Sequence, residues 1–188
     1  MRVCADDTSA AGARDAALIA VLYGAGLRRS ELVKLNLTDY QALIRSLTVR
    51  SGKGGKDRLC YLESSAAAYL ADWLLVRGDA PGPLFQPINK GGKLQPRSMA
   101  DQAVLEMLQK RGKRAGLQAF SPHDLRRSFI GDLLEAGNDI VTVQKLAGHA
   151  NVQTTAQYDR RGEISKQKAA DTLHIPYLKR KQAFPQST

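Results

Sequence analysis

The chain has 188 residues, 43% of them hydrophobic, which is enough for one domain with a real core or two very small ones and argues against global disorder. A formal net charge of +10 suits a polyanionic partner, either nucleic acid or an acidic membrane surface, without choosing between them. The apolar run Ala16 to Tyr23 is far too short for a membrane span, and residues 1–13 lack the apolar stretch of a signal peptide. Cys4 and Cys60 match neither a metal-ligand spacing nor a disulfide framework; Cys60, in an apolar run, reads as a small buried thiol.

Residues 14–23 read as a helix with a broad apolar face, broken by Gly24 and Gly26. Ser30 to Leu37 begins a second helix. From Ile44 to Leu62 the period changes to two: Leu47 and Val49 alternate with polar residues, as do Leu59 and Tyr61, around a Gly-rich turn, the pattern of a β-hairpin. Ser64 to Arg77 is helical, 79–96 is a long loop rich in Gly and Pro, and Ser98 to Ala115 is helical again. Ser121-Pro122-His123-Asp124 opens a helix with Ser at the N-cap, Pro at N1 and an acid at N3, and Gly137-Asn138 stops it. A short helix to Leu146, a short segment containing Tyr158 and a helix from Glu163 to Leu173 complete the chain before a basic tail. The expected fold class is α+β: mainly α, with a small antiparallel β-hairpin or three-stranded sheet.

Four local features carry possible chemistry, and each has an ordinary structural explanation beside it. In Leu27-Arg28-Arg29-Ser30-Glu31, Arg28 and Glu31 could be a simple i,i+3 pair. Gly52-Lys53-Gly54-Gly55-Lys56-Asp57-Arg58 is not a phosphate-binding P-loop, and its lysines could be plain turn decoration. His123 and Arg126, three apart, lie about 60° apart on one helix face, in the first turn where free N–H groups favour an anion. That pair suits a phosphate clamp or a solvated ion pair. The fourth feature is Gly148-His149 followed nine residues later by Tyr158.

Taken in order, Arg28, Glu31, Lys53, His123 with Arg126, His149 and Tyr158 resemble the signature of the tyrosine recombinases of the phage integrase family, which include phage integrases, Xer-type recombinases and integron integrases. GLRRSEL is similar to the first arginine box, SGKGGKDR to the hairpin lysine turn, SPHDLRRSF to the second box and LAGHANVQTTAQYD to the third. The resemblance runs from about residue 14 to 173; Arg127 stands where many members carry His.

The resemblance implies the tyrosine recombinase catalytic-domain fold over residues 14–175, preceded by a linker remnant (1–13) and followed by a basic tail (176–188). It implies site-specific DNA recombination through a 3′-phosphotyrosyl intermediate, with Tyr158 as nucleophile. Arg28 and Arg126 would clamp the phosphate, Lys53 (with Lys56 as the competing candidate) would protonate the leaving oxygen, and His149 would donate to a phosphate oxygen. His123 would orient the site or accept the tyrosine proton, and Glu31 would hold Arg28 or His123. No metal or other cofactor is expected, since two arginines would do a metal's work. The family's N-terminal DNA-clamping domain has no counterpart in the sequence, so the chain reads as a fragment, monomeric alone and a homotetramer on paired double-stranded DNA sites when full length. The implied setting is the DNA-associated cytoplasm of a prokaryote, or a phage or other mobile element, with no membrane partner. Type IB topoisomerase-like relaxation and a catalytically silent DNA-binding relative are the alternative functions.

Overall fold

The computed structural model of the chain describes residues 1–50 and 57–179. Its elements, in order, are α1 (Arg2–Ala5), α2 (Ala10–Gly24), α3 (Arg29–Leu32), β1 (Tyr40–Gln41), β2 (Ser46–Val49), β3 (Arg58–Tyr61), α4 (Ser64–Arg77), α5 (Asp101–Arg114), α6 (Pro122–Glu135), α7 (Ile140–Ala147), α8 (Val152–Ala156) and α9 (Glu163–Asp171). The fold is mainly helical with one antiparallel sheet in the order β1-β2-β3, as the hydrophobic periodicity predicts.

Helix α2 is the centre of the packing, lying against both α4 and α6. Its apolar face is broad, with Leu18, Val21 and Leu22 all fully buried, so it can be covered from more than one side. Trp73 of α4 completes this core, stacking on Phe85 with ring centroids 6.5 Å apart while its indole N–H donates to the Leu84 carbonyl at 2.9 Å. A second apolar cluster, built from Phe129, Ile130, Leu134, Val143 and Ala147, joins α6 to α7, with Tyr158 packed at its margin.

The caps expected at α6 are present. Asp124 accepts from the Ser121 N–H at 2.9 Å and Pro122 occupies the first turn. Asp139 caps α7, and Gly148, at φ +68°, ends it in the left-handed region.

Three elements differ from the sequence expectation, each because a tertiary partner competes with local pattern. The helix expected over Ser30 to Leu37 stops at Leu32. Beyond it the backbone pairs with the long loop instead: the Leu84 N–H donates to the Leu35 carbonyl at 2.8 Å, and the Leu37 N–H donates to Gly82 at 2.9 Å. On β3 the alternation marks the outer face. Register pairs Leu47 with Cys60 and Val49 with Arg58, and cross-strand partners share a face, so Cys60 and Arg58 turn inward while Leu59 and Tyr61 are exposed. The first long helix begins at Ala10, with Ser9 as its N-cap, and residues before it fold against the domain: Cys4 is buried, and Asp7 pairs with Arg111 of α5 at 2.7 Å.

Gly26 joins the two clusters. It has φ +58°, and a Cβ there would fall 2.2 Å from the Phe129 ring. Gly26→Ala is expected to lower unfolding free energy by about 2–4 kcal/mol, combining left-handed strain with overpacking, measured by urea denaturation. A loss below about 0.5 kcal/mol would contradict the packing described.

Candidate active site

The site is assembled where three segments meet: the turn after α2, the first turns of α6, and the stretch between α7 and α8. Arg126 lies at their junction. Its side chain is buried, and its two terminal nitrogens donate to the carbonyls of Gly26 at 2.6 Å and Ala147 at 2.7 Å. The sequence puts it there because Arg126 lies on the α6 face that continues into Ile130 and Leu134, both fully buried. Burial, reinforced by the positive charge of Arg28, lowers its pKa to about 10, so it is still protonated at neutral pH.

Arg28 precedes α3 and its side chain is roughly half exposed, free to meet a ligand. Its backbone N–H and its guanidinium both donate to Glu31, at 2.8 Å and 2.9 Å. The second partner of Glu31 is Arg58 of β3, bound in a two-pronged pair at 2.9 Å and 2.8 Å. Against burial, which would raise it, the hydrogen bonds from Arg58 and from the Arg28 N–H hold the Glu31 carboxyl down to about 2. Of the two partners the sequence offers Glu31, the structure supplies Arg28; among the described residues Glu31 has no bond to His123. Arg58 also donates to the Leu146 carbonyl at 3.2 Å, and a Cβ on Gly148 would lie 2.9 Å from it.

Arg28, His123 and Arg126 line one cavity of about 320 Å³, together with Arg29, Ser30 and Ser121. His123 is exposed in the first turn of α6. Next to this cavity, His149 and Tyr158 stack with ring centroids 6.2 Å apart and planes 25° apart. His149 Nδ1 lies 2.9 Å from Thr155 Oγ1. Burial first, then the charges of Arg126, Arg28 and Arg58, lower the His149 pKa to about 4, so its ring is neutral at pH 7.

The structure therefore gathers Arg28, Glu31, His123, Arg126, His149 and Tyr158, which are up to 130 residues apart in the chain, around one basic centre. Lys53 and Lys56 lie outside the described residues. Among the described residues, no three His, Cys, Asp or Glu side chains converge to hold a metal ion. Two residues that sequence reasoning misses belong to the site. Arg58 stands inside the lysine-turn motif, and its signal is a charge two positions from Cys60 on a strand, hence on the same face. Thr155 carries no signal beyond its place three residues before Tyr158. The other tyrosines have bland surroundings, Tyr23 for instance donating to Asp132 at 2.8 Å.

The Arg58–Glu31 pair is largely shielded, yet both side chains keep some contact with water. Arg58→Met is therefore expected to cost about 2 kcal/mol of stability, less than breaking a fully buried pair, and to let the Glu31 carboxyl rise toward its ordinary range. Urea denaturation with an NMR titration of Glu31 measures both, and an unchanged Glu31 would contradict the pairing.

The profile of the phage integrase family matches residues 1–163. Tyrosine recombinase XerA of Pyrococcus horikoshii is 38% identical over 168 residues, covering 85% of this chain and 57% of that protein. Tyrosine recombinase XerC of Vibrio campbellii is 36% identical over 169 residues, covering 89% and 53%. The chain thus spans about half the length of the curated relatives it matches. Among solved structures, the crystal structure of XerA recombinase superposes with TM-score 0.73 at 27% identity, over 94% of this chain and 62% of that one. XerH, solved as a post-cleavage complex with a palindromic difH substrate, shares the fold with TM-score 0.69 at 24% identity, over 90% of this chain and 49% of that one. With its profile matched over most of its length and its site residues gathered at one centre, the chain belongs to the phage integrase family.

Proposed function

We propose that this chain is the DNA-cleaving and rejoining domain of a site-specific tyrosine recombinase acting on double-stranded DNA. The observation that carries this reading is the meeting of Arg28, His123 and Arg126 in one cavity beside the stacked His149 and Tyr158. Two fixed cations and a neutral imidazole suit a phosphodiester, whose transition state spreads charge over its non-bridging oxygens. The recombinases named among the relatives support the same reading.

In the proposed step the Tyr158 oxygen attacks phosphorus and forms an O–P bond, passing its proton to His123. The P–O5′ bond breaks, its electron pair stays on O5′, and Lys53 supplies that oxygen with a proton. The product is a 3′-phosphotyrosyl bond and a free 5′-hydroxyl, and attack by another strand's 5′-hydroxyl reverses the step on the new partner. Arg28 and Arg126 hold the phosphate oxygens, His149 donates to one of them, and Glu31 fixes Arg28 through the bonds described. The reaction is proposed to need no metal or other cofactor. Residues 14–175 form the catalytic unit in this reading, working in full-length protein as a homotetramer on paired sites, and this chain alone is a monomer. Its setting is the DNA of a prokaryotic cell or of an element that inhabits one.

Incubation with nicked suicide duplexes of randomised sequence tests the chemistry. Wild type is expected to yield a covalent adduct that survives a denaturing gel, reduced to background in Tyr158→Phe, which lacks the attacking oxygen. Absence of an adduct with every sequence would overturn the catalytic reading in favour of a silent DNA-binding relative.

The charge state of His149 makes a second prediction. The fold favours its neutral form, with a pKa of about 4 against 6.5 when free, so the unfolded chain takes up the proton first. This contribution to stability is complete above about pH 6.5 and is lost as pH falls toward 4. Glu31, with a carboxyl near 2 against an ordinary 4.5, adds its own loss only below pH 4.5. Urea midpoints measured from pH 8 to pH 3 are expected to fall in both windows, and His149→Gln is expected to flatten the upper one alone.

A further inference from the structure

Helix α8 carries adjacent threonines before Tyr158, and they are not equivalent. Thr154 is exposed, whereas Thr155 is fully buried. The Thr155 hydroxyl lies 2.9 Å from His149 Nδ1, and its carbonyl accepts from the Tyr158 N–H at 3.0 Å. One residue therefore touches both His149 and the backbone of Tyr158, whose rings stack on each other.

The direction of the hydroxyl–imidazole bond follows from counting protons. A threonine hydroxyl has a single proton to donate. Among the described residues, the sole hydrogen-bond partner of this hydroxyl is His149 Nδ1. Were Nδ1 to carry the ring proton, it would donate to Thr155, and the hydroxyl proton would be buried with no acceptor, a state that folded proteins avoid. Donation by Thr155 satisfies both atoms and leaves the proton of a neutral ring on Nε2. The groups facing that ring from the elements around it are Arg28 before α3, Arg58 on β3, Arg126 on α6 and Tyr158 itself. Burial first, and then the three cations, oppose a second ring proton, so the neutral form persists.

We infer that Thr155 is a positioning residue whose hydroxyl fixes His149 as the neutral Nε2–H tautomer, committing it to donate a hydrogen bond to phosphate and leaving it unable to take the Tyr158 proton. The functional half of this inference rests on the recombinase reading; the tautomer does not. With Nδ1 occupied as an acceptor and Nε2 protonated, His149 has no free lone pair for a base, and His123, exposed at the cavity, is left as the imidazole that can accept a proton.

Two measurements test it. The chain has three histidines, so two-bond proton–nitrogen correlation spectra of the ¹⁵N-labelled chain, assigned with His149→Gln, read the tautomer directly. Wild type is expected to show a bare Nδ1 and a protonated Nε2 at pH 7. Thr155→Val, nearly the same shape without the hydroxyl, is expected to lose that single tautomer, and Thr155→Ser to keep it. Adduct formation on the nicked duplexes is expected to slow about tenfold in Thr155→Val, the scale of one hydrogen bond, and to recover in Thr155→Ser. A protonated Nδ1 in wild type would overturn the inference, as would a Thr155→Val chain that keeps both tautomer and rate. If wild type forms no adduct, the recombinase reading fails, and the spectra still decide the hydrogen bond.

Discussion

One buried guanidinium sets the geometry of this molecule. Arg126 reaches from α6 to two backbone carbonyls, Gly26 in the turn after α2 and Ala147 at the end of α7. Each carbonyl lies two residues before a site residue, Arg28 in one case and His149 in the other. A rigid, planar donor fork thereby fixes the spacing of two segments that are more than a hundred residues apart. The apolar contacts beneath, with Ile130 and Leu134 fully buried, keep the fork from shifting along the helix.

Around that fixed point positive charge accumulates. Arg28, Arg58 and Arg126 all bear on His149, and Glu31 is the carboxylate set among them. Arg126 donates directly to backbone carbonyls and not to a carboxylate, and Glu31 is shared with Arg28 and Arg58, which leaves the cavity with a surplus of positive potential. Such a surplus favours an anionic ligand and, added to burial as the larger cause, keeps His149 neutral. The Glu31–Arg58 pair and the Arg58 bond to Leu146 extend this framework into the sheet, so β3 is tied to the end of α7.

Much of this is legible in the sequence where local chemistry and tertiary structure agree. The caps of α6, the helix-ending Gly148 and the spacing of His123 and Arg126 each follow from one stretch of chain. The residues that escape notice are those whose meaning lies in a partner outside their own element. Arg58 draws no attention in the sequence because nothing local shows that Glu31 lies opposite it. Thr155 looks like any helical threonine because helical periodicity within α8 does not relate it to His149, which lies six residues earlier and outside that helix. The helix expected after Ser30 stops short for the same reason: its backbone partners are in the 79–96 loop, which periodicity does not describe. On β3, alternation gives the period and not the face, because register with β2 decides which side is inside.

The burial of Cys4 and Cys60 has a practical side. They are the chain's two cysteines, and both thiols are raised above their ordinary pKa, chiefly by burial. Thiol reagents attack the thiolate, so in the folded chain both sulfurs are poor targets. A cysteine introduced at an exposed position such as Leu43 or Leu75 would carry a fluorophore or spin label without removal of the native pair. Conversely, slow labelling at Cys60 becomes a clock for transient opening of the sheet from α7, whose Leu146 carbonyl lies 3.7 Å from that sulfur.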